Sequence, residues 1–464
     1  MPTGLITAGV LTRRLGPEGY GLFTLASVLV AWLEWTLTSL FERTTIKFAR
    51  EVEDWPSFCT AIAQLHLGLG CLMGLLLAAL AAPLGAAFHE PSLAGYLQLY
   101  ALDIPIFCLA YAQRQLLIGR GEFRERAIAS ASRWTARFLL ITLLLLNGFS
   151  IYGAIWGTIG ASLIELGVGR QFIQPAIFAR STFPIRKLFD YAVPLFLFAA
   201  ILRCYDKLDL IMLKLLDGSA AQMGIYSAAQ NLAFVPSLFA MSFSPLLLSV
   251  LSQTLREENW PKAQHIERNA LRLTVILLPF VALAAGSANA IVGLVYGAEF
   301  LPAATLLALL LLGALALVSI SIATAILTAI GRPKLTLWAV SPLLPVSLVG
   351  YGLVIPHWGS VGAALVSVAT ATLGAALSLG LVYHQCRVLP PLGTGLRALG
   401  ISAVLYAVAS QWIAPDSMFI FKFCLLGGMT PLGFLLLGEC DRRELQSLRA
   451  WILSTLGRIN QRSS

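Results

Sequence analysis

Apolar runs that are long enough to cross a lipid bilayer recur along this entire chain. A helix needs about 20 apolar residues to cross about 30 Å of hydrocarbon, and short polar connectors separate runs of this kind here. The predicted segments are 1–12, 22–41, 58–84, 93–117, 127–147, 151–173, 188–215, 223–251, 272–296, 301–330, 335–355, 359–383, 396–413 and 419–438. The sequence therefore predicts an all-α integral membrane protein with about 14 transmembrane helices.

The composition is typical of a chain that is surrounded by lipid. Of its 464 residues, 58% are hydrophobic and 12% are charged, whereas soluble domains carry about 25% charged residues. Every connector between the predicted segments is short. Because none has room for a soluble catalytic domain, we do not expect an enzyme.

The connectors alternate in their content of lysine and arginine, which predicts the orientation. One set is rich in these residues, for example at Arg43, Lys47 and Arg50, and the other set is nearly bare. The exceptions in the second set are Arg13, Arg14, Lys214 and Lys422. Since basic connectors stay in the cytoplasm, both termini are predicted to be cytoplasmic.

The stretch RRLGPEGYGLF, residues 13–23, is predicted to form a tight turn on the outer face between the first two segments. The segment before it is short, because eleven helical residues cover only about 16 Å. We therefore expect that the first helix is truncated and that the native chain begins upstream of Met1.

Two halves of the chain carry similar stretches in the same order. LGPEGYGLFTLA, with Gly21, matches LDGSAAQMGIYSAA, with Gly224, and further matches pair REVEDWPSF with REENWPKAQ and LLIGRGEFR with LTAIGRPKL. An even number of spans in each half gives both halves one orientation, as in transporters with parallel repeats. The predicted domains are an N-terminal six-helix bundle over 1–180, a C-terminal six-helix bundle over 181–385, two additional transmembrane helices over 386–440 and a basic cytoplasmic tail over 441–464.

Four stretches resemble the polysaccharide-biosynthesis flippases (Wzx-type) of the multidrug/oligosaccharidyl-lipid/polysaccharide (MOP) exporter superfamily: RRLGPEGYGLFTLA, DLIMLKLLDGSAAQMGIYSAAQNLAFVP, VYGAEFLPAATLLALL and AIGRPK. The resemblance covers nearly the whole chain and implies a MATE-like fold of two six-helix bundles. It implies alternating access that carries polyprenyl-(di)phosphate-linked sugars, such as O-antigen units of lipopolysaccharide, across the bacterial plasma (inner) membrane. The implied partners are the lipid-linked glycan, membrane lipid and a polysaccharide polymerase or glycosyltransferases, with no nucleic acid.

Ionisable residues inside the apolar segments are costly in lipid and are therefore functional candidates. A lipid-linked sugar presents phosphates, and guanidinium groups bind phosphate oxygens through two parallel hydrogen bonds. Arg133 and Arg137 lie four residues apart, hence on one helix face, and Arg203 and Lys207 share this spacing. The candidates for a cationic substrate-binding cavity are Arg133, Arg137, Arg203, Lys207, Arg43 and Lys47.

Structural roles are the alternative for these cations. Asp206 follows Arg203 by three residues, so an ion pair within one helix is available. Arg133 could extend to the inner membrane surface, and the Arg43 and Lys47 stripe could be positive-inside charge alone.

A buried carboxylate would suit coupling to H⁺ or Na⁺, and no cofactor is expected. Glu34 is the leading candidate because it lies in the aromatic stretch AWLEWT. The full set of ion-coupling candidates is Glu34, Asp206, Asp209 and Glu165. The resemblance places Asp209 on a recurrent aspartate of the seventh segment. A carboxylate that is hydrogen-bonded to a neighbouring helix is the alternative in each case.

Two other functions stay open. A MATE-type exporter of small organic cations would favour an acidic and aromatic cavity, whereas several cations also occur at mid-membrane here. A glycan polymerase or a polyprenyl-dependent glycosyltransferase would need large outer loops or an acidic pair in one of them, and the outer connectors are short.

Overall fold

The computed structural model describes residues 2–49, 52–177, 179–186, 188–189, 207–412 and 418–439. Nearly all of these residues are helical, and no strand occurs among them. Apart from its first and last turns, a helix satisfies its backbone hydrogen bonds within itself, which a segment surrounded by lipid must do. The predicted all-α membrane fold is confirmed.

Six helices make up the N-terminal part of the described chain. They are α1 (Pro2–Phe48), α2 (Trp55–Ala87), α3 (Pro91–Tyr100), α4 (Asp103–Arg120), α5 (Phe123–Leu146) and α6 (Ile151–Phe172). The start of α2 is defined by its sequence, since the Asp54 carboxylate accepts a hydrogen bond from the Ser57 N–H at 3.2 Å. Pro56 occupies the first turn of α2, where its missing N–H group leaves no partner unsatisfied.

The helix α1 contains a sharp break at Gly16, with φ 66° and ψ 179°. This region of backbone conformation is open essentially to glycine alone, and Pro17 then restarts the helix in its first turn. The predicted turn between the first two segments therefore lies at Gly16. This turn is shorter than the connector 13–21 that the apolar pattern predicted, because the two helical parts of α1 extend up to Gly16 from either side.

Eleven helices follow Lys207 in the described part of the chain. They are α7 (Leu208–Asp217), α8 (Ala220–Ala233), α9 (Val235–Arg256), α10 (Trp260–Ile276), α11 (Leu278–Gly286), α12 (Ala288–Tyr296), α13 (Ala303–Ala329), α14 (Pro333–Val340), α15 (Leu343–Cys386), α16 (Leu392–Gln411) and α17 (Phe419–Leu436). A 3₁₀ turn, Ala298–Phe300, precedes α13, and α15 is broken at Gly359 with φ 51°.

Among the described residues, eleven stretches are long and apolar enough to cross a membrane. Two of them, Thr3–Ile46 and Pro333–Cys386, contain the breaks at Gly16 and Gly359, and each covers two of the predicted segments. The seventh predicted segment falls mostly outside the described residues, and its end forms α7. The prediction of about 14 transmembrane helices is confirmed, with two pairs of predicted segments each joined into one long broken helix. The chain is a multi-pass membrane protein.

The chain divides into two compact units. One contains the chain up to Leu232 together with Val295–Leu306 and Leu343–Ser367, and the other contains Ala233–Leu294, Leu307–Pro342 and the chain from Val368 onwards. The predicted domain boundaries at residues 180, 385 and 440 stay a prediction.

Many large apolar side chains of both units have no protein cover. On α2, for example, Leu72, Leu75, Leu76 and Leu80 are all exposed, with Leu75 71% accessible. Soluble monomers rarely show such long uncovered apolar faces. In a chain with this many spans, these faces are the surface that lipid covers.

Two glycines from the sequence repeat meet within the first unit, where α1 crosses α8. A Cβ on Gly21 would lie 1.9 Å from the carbonyl oxygen of Ala220, and a Cβ on Gly224 would lie 2.1 Å from that of Pro17. Only glycine permits the two backbones to approach this closely. Matching positions of the two halves thus form the crossing point.

Glu439, just after α17, anchors the last described residues of the second unit. Its carboxylate accepts hydrogen bonds from Arg272 Nε at 2.8 Å, from Arg397 Nη1 at 2.5 Å and from the Thr394 hydroxyl. Burial disfavours its charged form, but these hydrogen bonds outweigh burial and hold the pKa of Glu439 below its usual value of 4.5. The carboxylate therefore links α17 to α10 and α16 as an anion.

Candidate functional site

The helices α5 and α6 pack closely through a glycine, and this contact sets the register of the site. A Cβ on Gly157 of α6 would lie 2.8 Å from the backbone nitrogen of Ile141 on α5. Eight residues away from this contact on each helix, which is about two turns, lie Arg133 and Glu165. The antiparallel register thus brings this arginine and this glutamate face to face.

Glu165 lies between two arginines in the interior of the first unit. Its Oε2 is 3.4 Å from Arg133 Nε and its Oε1 is 3.1 Å from Arg114 Nε of α4, while its side chain is only 1% exposed. A buried carboxylate is stable only when it is paired. One acid shared by two guanidinium groups leaves this part of the site with an excess of positive charge.

Aromatic rings flank the two arginines. The guanidinium carbon of Arg133 lies 4.4 Å from the ring centre of Phe107, and that of Arg114 lies 4.8 Å from the ring centre of Tyr111. Guanidinium groups stack favourably on aromatic faces. The rings therefore help to hold both side chains in place.

A second part of the cluster contains Glu34, Asp103 and Arg137. Glu34 of α1 and Asp103 of α4 are both buried, and the charges of Arg133 and Arg137 act on both carboxyl groups. Among the described residues, neither Glu34 Oε1 nor Arg137 Nε has a hydrogen-bond partner, although both atoms are buried. These groups are close enough to influence each other electrostatically but are not locked together.

The complete cluster is balanced in charge when every member is ionised. It contains three arginines and three carboxyl groups, which are Arg114, Arg133, Arg137, Glu34, Asp103 and Glu165. The cluster would therefore attract an anion such as a phosphate only when one or more of its carboxyl groups are protonated or move away from the arginines. The predicted cationic cavity is thus a mixed cluster in this part of the molecule, and its binding role stays a prediction.

Lys207 and Asp209 are brought together through one glutamine. The Lys207 ammonium donates to Gln230 Oε1, and Gln230 Nε2 donates to Asp209 Oδ2 at 2.7 Å. The Tyr226 hydroxyl also donates to Oδ2, at 2.8 Å, and Asp209 Oδ1 accepts from the Leu210 N–H at 2.9 Å. Three donors thus fix this carboxylate at the start of α7, and its use in ion coupling stays a prediction.

Four predicted site residues contribute no side-chain geometry. Arg203 and Asp206 lie outside the described residues, and so do the side chains of Arg43 and Lys47, whose backbones belong to α1. Their roles stay predictions.

Sequence reasoning missed Arg114, although it lies in the apolar segment 93–117. The signal was a single arginine within the otherwise uncharged stretch AYAQRQLLIG. Asp103 lies in the same predicted segment, 93–117, as Arg114, and its proximity to Arg133 and Arg137 could be seen only in the fold.

Comparison with known proteins supplies a family for most of this chain. A family model described as "Polysaccharide biosynthesis protein" matches residues 10–305. An uncharacterized membrane protein of Methanocaldococcus jannaschii is 29% identical over 197 residues, which are 42% of this chain and 38% of that protein. The match therefore spans well under half of the length of this relative.

Two solved structures share the fold at low sequence identity. The lipid II flippase MurJ, in an inward closed conformation, superposes with a TM-score of 0.78 at 15% identity and covers 96% of this chain and 97% of its own. A multidrug resistance MATE family transporter of the MOP superfamily, facing inward, superposes with a TM-score of 0.64 at 13% identity and covers 87% of this chain and 95% of its own. At these identities the likeness establishes the fold, and the predicted MATE-like architecture is confirmed.

Proposed function

This chain belongs to the polysaccharide biosynthesis protein family, and we propose that it is a flippase for a polyprenyl-(di)phosphate-linked oligosaccharide or a related glycolipid. The protein would work by alternating access in the bacterial plasma membrane, with both termini in the cytoplasm. A polysaccharide polymerase or glycosyltransferases would supply or consume the glycan. The fold that this chain shares with a lipid II flippase supports the proposal.

The partly buried arginines of the first unit are the observation that carries this proposal. A phosphate cannot enter hydrocarbon without partners for its charge. Arg114 and Arg133 lie on either side of Glu165 in a membrane-spanning unit, and Arg137 lies one turn further along α5. Such a cluster offers guanidinium forks to a diphosphate while the prenyl chain stays in lipid.

The acids of the cluster would regulate this binding. Arg133 and Arg137 act electrostatically on Glu34 and Asp103, so an arriving diphosphate competes with these carboxyl groups for the same cations. Proton uptake by either acid would leave the cluster positive and favour the anion. Release of that proton would favour departure of the head group on the other side.

Complementation of a flippase-deficient strain with the full chain tests the proposal. Arg137→Ala should reduce glycan export about tenfold to a hundredfold, because a hydrogen bond to a charged group contributes about 1.5–3 kcal/mol. Lipid-linked sugar should then accumulate in the cytoplasmic leaflet, and Arg203→Ala should act likewise. Arg124→Gln, an exposed arginine of the same helix α5, is the matched control. Normal export by Arg137→Ala and Arg203→Ala would contradict the assigned binding site.

Export of small organic cations is the second candidate, and one observation favours it. Glu34 and Asp103 are buried carboxyl groups in the interior of the first unit, which suit a cationic ligand, and a MATE family transporter shares the fold. Drug resistance conferred by the chain without any glycan phenotype would support this exporter over the flippase. In that case Glu34→Gln should abolish resistance, whereas Arg137→Ala should leave it largely intact.

A further inference from the structure

A basic cleft of about 720 Å³ opens in the second unit, on the predicted cytoplasmic side. It lies between the first turns of α10 and the segment that joins α15 to α16. His265 and Arg268 line it from α10, and Arg387 lines it from the end of α15. No acidic side chain lines this cleft among the described residues.

The two arginines of the cleft are not neutralised by carboxylates. Arg268 and Arg387 are both exposed, and neither forms an ion pair with an acid in the part of the chain that the structure describes. The guanidinium carbon of Arg387 lies 5.6 Å from the ring centre of Tyr383, which also lines the cleft. Among the described residues, the cleft is thus a concave surface with at least two positive charges that no carboxylate pairs.

Arg387 adopts a backbone conformation that is unfavourable for an arginine. It ends α15 in the left-handed region, with φ 56° and ψ 28°, where helices usually place glycine. Residues held in such conformations cluster at functional sites. An arginine at this position turns its side chain into the cleft at a cost that glycine would avoid.

The sequence repeat provides an internal comparison for this cleft. The first unit has a smaller cavity of about 240 Å³ at the matching place, between the first turn of α2 and the end of α6. Its lining arginine, Arg120, pairs with Glu122 at 3.1 Å and lies 5.6 Å from the ring centre of Trp55. At this matching place the first unit therefore has a smaller cavity whose lining arginine is paired with an acid.

An apolar stripe continues from the edge of the basic cleft along α16. Leu389 and Leu392 line the cleft and are exposed, and Leu396 and Leu399 follow Leu392 at helical spacing. Leu392 is 86% exposed and Leu396 is 72% exposed. A cationic recess beside an apolar stripe matches the shape of a lipid, with its head group in the recess and a chain along the helix.

We propose that this cleft binds the phosphate-bearing head group of an anionic phospholipid, whose acyl chain lies along the stripe of α16. Basic pockets between helices on the cytoplasmic side suit anionic head groups, and each arginine near such lipid adds to the attraction. Arg268 and Arg387 hold the phosphate, and Tyr383 positions the Arg387 guanidinium. The site does not depend on the proposed transport function.

Lipid binding to the purified full-length chain tests this site. The protein is placed in phosphatidylcholine nanodiscs that contain a minor fraction of spin-labelled phosphatidylglycerol, and the immobilised fraction is measured. The double variant Arg268→Gln/Arg387→Gln should bind phosphatidylglycerol about thirtyfold more weakly, as expected for the loss of two arginines that face anionic lipid. Lys262→Gln removes an exposed cation of the same helix α10 that does not line the cleft, and should leave binding unchanged.

A second variant separates binding from folding. Arg387→Gly removes the charge and also relieves the left-handed backbone, so it should melt at a higher temperature in phosphatidylcholine while it binds phosphatidylglycerol less tightly. Equal binding by the double variant and the wild type would overturn the proposal, and so would an equal loss in Lys262→Gln. Displacement of the lipid by soluble glycerol 3-phosphate at equal concentration would assign the cleft to free phosphate esters and overturn the lipid assignment.

Discussion

The crossing of α1 and α8 at Gly21 makes a sharp prediction about stability. A Cβ on Gly21 would lie 1.9 Å from the Ala220 carbonyl oxygen and 2.8 Å from its carbon, whereas carbon and oxygen atoms normally approach to about 3.3 Å. Gly21→Ala must therefore separate the two backbones by more than 1 Å in the first unit.

The size of the effect follows from two opposing contributions. Overpacking of this kind costs about 1–3 kcal/mol, and the upper value applies because both contacting groups are backbone. Alanine regains about 1 kcal/mol over glycine in a helix. We expect a net loss of about 2 kcal/mol, which corresponds to a melting temperature lower by about 2–4 °C for a unit of this size.

The assay compares thermal unfolding of the purified full-length variants in one detergent. Gly68→Ala on α2 is the matched control, because a Cβ there would meet no atom within 4 Å, and it should melt at or slightly above the wild-type temperature. Gly224→Ala should behave like Gly21→Ala, since its Cβ would lie 2.1 Å from the Pro17 carbonyl oxygen.

The double variant Gly21→Ala/Gly224→Ala tests whether both methyl groups separate the same pair of helices. Once the first methyl group has separated the helices, the second should cost much less, so the two effects should not add. The close crossing would be refuted if the two losses in stability added fully in the double variant. It would also be refuted if Gly21→Ala melted at the same temperature as Gly68→Ala.

Two buried carboxylates yield further expected outcomes. Glu165→Gln removes the negative charge between Arg114 and Arg133 and should lower the free energy of unfolding, measured by thermal unfolding, by about 3 kcal/mol. The control Glu122→Gln breaks the solvent-accessible pair with Arg120 and should lower it by less than about 1 kcal/mol. Because the folded-state pKa of Glu439 is below 4.5, its ionised form stabilises the protein fully above that pH, and this stability is lost as pH falls through the folded-state pKa. The melting-temperature difference between wild type and Glu439→Gln should therefore stay constant above pH 4.5 and shrink below it, and a difference that grows in acid would contradict the assigned hydrogen bonds.

The membrane fold was predictable from the sequence because lipid permits few alternatives. Each apolar run must form its own helix, so the segments could be located without knowledge of their neighbours. Both helix breaks lie at or beside connectors that the apolar pattern predicted, since Gly16 falls in the stretch 13–21 and Gly359 directly follows 356–358. The sequence did not show that each break is confined to one glycine, because only the backbone dihedrals reveal that the helix continues up to it on both sides.

Only part of the site's residues, and none of its pairings, could be predicted from the sequence. Helical spacing placed Arg133 and Arg137 on one face, yet nothing local to α5 indicates that Glu165 would face them. That pairing depends on the register at Gly157 and Ile141, which is set by packing between helices. Arg114 was missed for the same reason, since its importance comes from the shared carboxylate.

The two lysines at predicted outer connectors have a consequence for surface chemistry. Lys214 is buried, and its ammonium forms an ion pair with Glu90 Oε1 at 2.7 Å. Lys422 is also buried, and its ammonium donates a hydrogen bond to the Ala409 carbonyl oxygen at 2.7 Å. Neither amine is available to an acylating reagent or to trypsin in the folded protein. By contrast, Lys262 and Lys334 are exposed at predicted cytoplasmic connectors. In the predicted orientation, an impermeant amine-reactive label would leave these four lysines unmodified in intact cells and would mark only Lys262 and Lys334 among them in inverted vesicles.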